Sequence, residues 1–152
     1  MNKNKLKDVT KEFIDKAKPG IGTISYEEGF DFKRHKQEKE TALWLLDTFG
    51  GDIVVLKEKH GYRLKNPDYK WNSKFWELKD VTTRRSIDNG LRKATKQILS
   101  MPGGIIIDIS NYLDKVSSIQ GVIEEGANHV NLLKYYIIVK DKQKLIKVYF
   151  KQ

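Results

Sequence analysis

Asp68, Glu77 and Lys79 have the residue types and spacing of a metal-assisted hydrolytic site, and they lie within one short stretch, PDYKWNSKFWELK. If Asn72 and Ser73 form a two-residue turn, pairing counts outward as Trp71 with Lys74, Lys70 with Phe75, Tyr69 with Trp76, and Asp68 with Glu77. The last pair sets two carboxylates directly opposite each other. Opposed β-carbons in a hairpin are about 5 Å apart, and like charges at that distance destabilise a purely structural sheet. A divalent cation between them would remove the conflict. Lys79 lies two residues beyond Glu77, so strand alternation puts its ammonium on the same face and sends Trp76 and Leu78 to the other.

Hard carboxylate oxygens suit magnesium or manganese, which bind through one or two carboxylates, water and substrate phosphate. A lysine beside them can orient or deprotonate an attacking water and offset charge developing on phosphorus. The chain contains no cysteine, so a disulfide framework, a thiolate zinc site and a cysteine nucleophile are excluded. Any metal, zinc included, must be held by oxygen or imidazole. His35, His60 and His129 are scattered, with no i, i+4 pair, and read as non-ligands. Ser110 and Ser118 lack a G-x-S-x-G context, and neither Gly50-Gly51 nor Gly103-Gly104 is followed by the Lys-Ser/Thr of a P-loop.

The elements that must position these residues follow from periodicity. The 152 residues suffice for one domain with a core, and 39% hydrophobic content supports a packed interior. Leu6, Val9, Phe13, Ile14 and Ala17 predict a helix over 3–17, followed by Pro19-Gly20 and a connector to about residue 33. Residues 36–49 predict a second helix with Ala42, Leu45, Leu46 and Phe49 in one stripe, ended by Gly50-Gly51. A buried strand is expected over 52–56, the hairpin over 68–71 and 74–80, and a basic amphipathic helix over 86–99. A strand over 105–109, a helix over 112–126 and a closing hairpin over 134–140 and 144–150 complete the pattern. Alternating strands and helices predict an α/β fold, a mixed central sheet flanked by helices.

Pro67-Asp68 followed nine residues later by Glu77-Leu78-Lys79 resembles the PD-(D/E)xK nuclease signature, the active-site hairpin of restriction-endonuclease-like folds. The ordered pieces HKQEKETALWLLDTFGGDIVVL, NPDYKWNSKFWELKD, SIDNGLRKATKQI and GGIIIDI resemble, more specifically, the C-terminal tRNA-nuclease toxin domain of contact-dependent inhibition (CdiA) proteins and mobile-element relatives. They span about half of the chain, from His35 to Asp108. The resemblance implies an N-terminal helix and linker over 1–34 before a nuclease domain over 35–152. It also implies a divalent metal, phosphodiester hydrolysis in the cytoplasm, and a cognate immunity protein.

In such enzymes the helix before the first core strand supplies another acidic residue. Glu38 and Glu40 are the candidates here. Glu38 shares the sheet-facing stripe with Ala42, Leu45 and Phe49, whereas Glu40 is placed outward with Trp44 and Asp47. On the basic helix, Lys93, Lys96 and Gln97 could reach the scissile region, and Arg84 and Arg85 could clamp substrate backbone. Trp71 could stack on an unpaired base or pack across the hairpin.

The charge balance, 29 Lys and Arg against 20 Asp and Glu for a net +9, favours a polyanionic partner. By the resemblance this is tRNA ahead of DNA. Rival readings are a DNA endonuclease of a mobile element, a non-catalytic nucleic-acid-binding or immunity module, and a structural basic domain. No segment has the apolar length of a signal peptide or a membrane span, so no membrane partner is expected, although the chain could be a piece of a longer secreted protein.

Overall fold

The computed structural model describes residues 6–58 and 66–152. Its frame is one mixed eight-stranded sheet in the order β1-β8-β7-β6-β5-β4-β3-β2. The strands are β1 (Leu6–Asp8), β2 (Gly22–Tyr26), β3 (Gly51–Val55), β4 (Tyr69–Trp71), β5 (Lys74–Asp80), β6 (Pro102–Asp108), β7 (Tyr135–Asp141) and β8 (Lys144–Lys151). Helices α1 (Thr10–Lys16) and α2 (Lys36–Phe49) pack on one face, and α3 (Arg84–Gln97) and α4 (Ile119–Asn128) on the other. The α/β expectation is met, and α2 matches its predicted bounds.

Each face buries its own apolar cluster. Ala42 and Leu45 of α2 meet Ile53, Val55, Trp76, Leu78, Ile106 and Ile138. Ile87, Leu91 and Ala94 of α3 meet Ile105, Ile107, Ile123 and Ile137 on the opposite side. β5 runs between β4 and β6, antiparallel to the first and parallel to the second, so its register is fixed from both edges. Gly50 stops α2 at φ 77°, where a side chain would run into the Lys18 carbonyl.

The structure departs from sequence expectation at three places that shape the sheet and its α2 face, and on the other face the helix expected over 112–126 begins only at Ile119, after a 3-10 turn at Val116–Ser118. Residues 22–26, read as connector, form β2, a parallel partner to β3. Thr23-Ile24-Ser25-Tyr26 does alternate polar and apolar, but the run is only four residues long beyond Gly22 and, at a half-solvated edge, only partly buried. Residues 6–8 leave the predicted first helix to pair with β8. Asp8 then turns the chain into α1, its Oδ1 accepting from the Thr10 amide (3.0 Å) and hydroxyl (2.6 Å). Those bonds, the hydroxyl one foremost, pull its carboxyl down to about 2. The third departure is Trp44, placed outward on α2 by spacing but buried, with its indole N–H donating to the Gln143 carbonyl at 2.9 Å.

Trp44 also roofs a buried ion pair. Lys140 Nζ lies 3.3 Å from Asp108 Oδ2 and 5.1 Å from the centre of the Trp44 ring. Burial pushes the Asp108 carboxyl up, but the Ser110 hydroxyl and amide and the Lys140 ammonium outweigh it and leave it below its ordinary value. Stability from this group is therefore present above the ordinary carboxylate range and is lost as pH falls through the lowered folded value. Removing one partner strands the other in the core. Lys140→Ala is expected to cost about 3 kcal/mol or more in urea denaturation, and Lys140→Met with Asp108→Leu to recover most of that loss.

Candidate functional site

The turn and the first three pairs of the hairpin carrying Asp68, Glu77 and Lys79 are built as the spacing predicts. Asn72 and Ser73 both have positive φ (48° and 69°), the two-residue turn whose twist matches a right-handed hairpin. The pairs Trp71 with Lys74, Lys70 with Phe75, and Tyr69 with Trp76 follow. Trp71 does not present itself for base stacking. It is 4% exposed, its indole N–H donates to the Gly50 carbonyl at 2.9 Å, and its ring packs on Trp76 at 4.8 Å. Burial of so large an apolar surface outweighs exposure at a turn.

Past Tyr69 the backbone ladder ends and the carboxylates take over. The Asp68 amide donates to Glu77 Oε1 (3.0 Å), and the Leu78 amide donates to Asp68 Oδ2 (2.8 Å). Each acid thus grips the other strand's backbone, which holds both carboxyl groups together at the ends of β4 and β5. Glu77 is 4% exposed. Lys79 Nζ lies 3.2 Å from Glu77 Oε2. Its aliphatic stem runs past Gly90 of α3, where a β-carbon would sit 3.5 Å from Lys79 Cγ.

Burial pushes the Asp68 carboxyl well above its ordinary range, and the Glu77 charge and hydrogen bond and the Glu38 charge push the same way against the Leu78 amide. Glu38, in the first turn of α2, is pinned through its carbonyl, which accepts from the Tyr69 hydroxyl at 2.6 Å. Burial, followed by the charges of Asp68 and Glu38, drives the Tyr69 phenol well up, so it stays a donor. Glu40 is exposed. His35 stands between two acids, 3.7 Å from Glu38 Oε1 and 3.2 Å from Glu58 Oε2, a neighbourhood its sequence position did not reveal. His60 lies outside the described residues.

Among the described residues no group of three or more His, Asp or Glu side chains is gathered as a metal site. Asp68 and Glu77 supply two hard oxygen ligands, the complement from which magnesium is held when water and phosphate complete its shell.

The basic helix splits its candidates between two flanks. Helical spacing puts Lys93 and Gln97 on the Gly90 side, toward β5, and Gln97 Oε1 there is buried without a hydrogen-bond partner. Lys96 lines a depression on the α4 side. Arg84 and Arg85 line a neighbouring one, Arg84 pairing with Glu125 at 3.3 Å. Thr83 and Ser86 start this helix earlier than its apolar pattern shows, each hydroxyl accepting from the other's amide (3.2 and 2.9 Å).

Neither protein-family models nor curated protein sequences give a match to this chain. Among solved structures, a chain of the CdiA-CT/CdiI toxin and immunity complex from Burkholderia pseudomallei shares the fold, with a TM-score of 0.54 and 18% sequence identity. The likeness covers 84% of this chain and 99% of that one.

The raised Asp68 carboxyl has a thermodynamic signature. As pH rises from the ordinary carboxylate range toward the folded value, the unfolded chain sheds a proton that the folded chain keeps, so stability falls across that window. Asp68→Asn, which keeps an acceptor for the Leu78 amide and offers a donor to Glu77, is expected to stabilise the protein by about 1 kcal/mol or more at pH 8 in EDTA. Thermal melts from pH 4 to 8 should show the gap closing toward acid. A variant less stable than its parent at pH 8 would contradict the like-charge conflict.

Proposed function

We propose that this chain is a toxin domain that hydrolyses phosphodiester bonds of RNA, tRNA foremost, with the restriction-endonuclease-like PD-(D/E)xK hairpin as its active site. The observation that carries the reading is the opposed Asp68–Glu77 pair with Lys79 against it, 3.2 Å from Glu77. Two acids brought together in a half-buried site, one pushed strongly toward its protonated form, have the chemistry of cation ligands. Magnesium or manganese held by Asp68 and Glu77 would offset their charge and that of a scissile phosphate.

The chain's own residues do the rest. Lys79, its stem fixed along Gly90, holds its ammonium on the carboxylate face, where it can orient the attacking water and offset charge on phosphorus. Glu38 on α2 stands near enough for its charge to act on Asp68 and is the third acid that would be drawn to a bound cation. Lys93 and Gln97 flank the same space from α3 and can hold the phosphate beside the cut. The net charge of +9 draws the polyanion.

The toxin role is supported by the fold shared with a chain of a toxin and immunity complex. A toxin acting in the cytoplasm requires a neutralising immunity protein, and an acidic surface laid over the basic helix would serve. No described helix is long and apolar enough to cross a membrane.

The test is cleavage of total tRNA and of plasmid DNA with magnesium, manganese or EDTA. We expect tRNA cleavage that EDTA abolishes, and a loss of about a hundredfold or more in Glu77→Ala and Lys79→Ala, in the range of a removed catalytic group. Cleavage persisting in EDTA or in both variants would sink the mechanism. Cleavage of plasmid alone would move the substrate to DNA.

A further inference from the structure

The groove between α3 and α4, on the flank of α3 away from the hairpin, holds a charged arrangement that the hairpin chemistry leaves unused. Gly126 of α4 lets the helices close, since a β-carbon there would meet Leu91 Cδ1 at 2.8 Å and lie 3.7 Å from Asp88 Oδ1. That close approach brings His129, at the C-terminus of α4, against Asp88. His129 Nδ1 is 2.9 Å from Asp88 Oδ1, and Arg92 Nε is 3.2 Å from Asp88 Oδ2. One carboxylate therefore fixes both an imidazole and a guanidinium, one by each oxygen.

What remains outward is the useful part. Nε2 of His129 and the two terminal nitrogens of Arg92 have no partner among the described residues, and both side chains are about half exposed (46% and 54%). Lys96, one turn along from Arg92, is exposed and has no carboxylate within ion-pair distance among the described residues. His129 stands between two depressions of about 350 and 330 Å³, one lined by Arg92 and Lys96 and the other by Arg84 and Arg85. Each has the volume of a small-ligand site. A planar guanidinium held in one orientation, with an ammonium beside it, matches the oxygens of a phosphate diester. The His129 ring, whose Nδ1–H is taken by Asp88, adds an Nε2 donor to them only when it carries both protons.

We propose that His129, Arg92 and Lys96, oriented by Asp88, form a phosphate-binding seat for nucleic-acid backbone, distinct from the hairpin. The choice of nucleic acid over other polyanions rests on the function proposed above. The exposed ridge of α3 between the two sites carries Arg85, Asn89, Arg92, Lys93 and Lys96 and no acidic residue. A strand bound at the hairpin can therefore cross the α3 ridge without meeting a negative charge and reach this groove, where Asp88 is engaged by His129 and Arg92 and Glu125 by Arg84. The seat adds binding area remote from the cut and contributes nothing to the chemical step.

The test is fluorescence anisotropy of labelled total tRNA with the full chain in EDTA, over a salt series. Arg92→Ala and His129→Ala should each weaken binding several-fold and together about tenfold, with a shallower dependence of log affinity on log salt by roughly one unit for each phosphate that is no longer neutralised. Arg92→Lys keeps the charge but not the fork and should bind more weakly than the parent. Lys144→Ala, an exposed lysine at the start of β8, should bind like the parent. Equal weakening in Lys144→Ala would reduce the effect to net charge and overturn the seat. Unchanged affinity in Arg92→Ala and His129→Ala would overturn it too, leaving the groove to an acidic protein partner. Cleavage with magnesium restored is scored separately: its absence beside the expected weakening of binding removes the nuclease reading and leaves the seat standing.

Discussion

Two carboxylates that repel each other are held face to face, and the surrounding structure exists in large part to keep them there. Their like charges oppose the encounter, and the amide bonds that each acid accepts from the other strand help to hold it. The positive-φ turn at Asn72-Ser73 sets the register, and a slip of one residue would send Glu77 to the α2 face and Trp76 to the α3 face. The aromatic cluster of Trp71, Trp76, Phe49 and Phe13 resists that slip, because it would pull the Trp76 indole away from Trp71. Packing energy far from the acids thus fixes charges that electrostatics alone would separate, as expected where local strain serves a site.

The two layers of helices divide the remaining work. On one face α2 brings Glu38 within electrostatic reach of Asp68, with Tyr69 as the latch. It is anchored farther along by Trp44 and the Asp108–Lys140 pair. On the other face α3 presents Gly90 to Lys79 and, on its far flank, Asp88 and Arg92 to His129. One helix therefore borders both charged regions, and its exposed ridge joins them.

Much of this was legible in the sequence for definite reasons. The hairpin register could be counted because its turn is only two residues long, and α2 could be bounded because Gly50-Gly51 stops it. β2 was missed although Thr23-Ile24-Ser25-Tyr26 alternates, because the run is short, follows Pro19-Gly20 and Gly22, and buries little at the sheet edge. Packing across the hairpin was one of two open readings for Trp71, settled by its contacts with Trp76 and with Phe13 of α1. The burial of Trp44 was missed because a remote element, the β7–β8 turn, covers it. The His35–Glu58 and Asp88–His129 pairs were out of reach for the same reason. Separations of that length are set by sheet order, and periodicity does not encode it. Lys93, Lys96 and Gln97 looked equivalent as a basic run, and only the packing of α3 against β5 and α4 shows that they belong to different flanks.

The opposed acids either take a cation between them or do not. Crystals grown with manganese and measured at its absorption edge address this directly. The prediction is one anomalous peak about 2.2 Å from carboxylate oxygens of both Asp68 and Glu77, absent in Glu77→Ala crystals grown the same way. A pair left bare at saturating manganese, or a peak at His35, Glu38 and Glu58 instead, would contradict it.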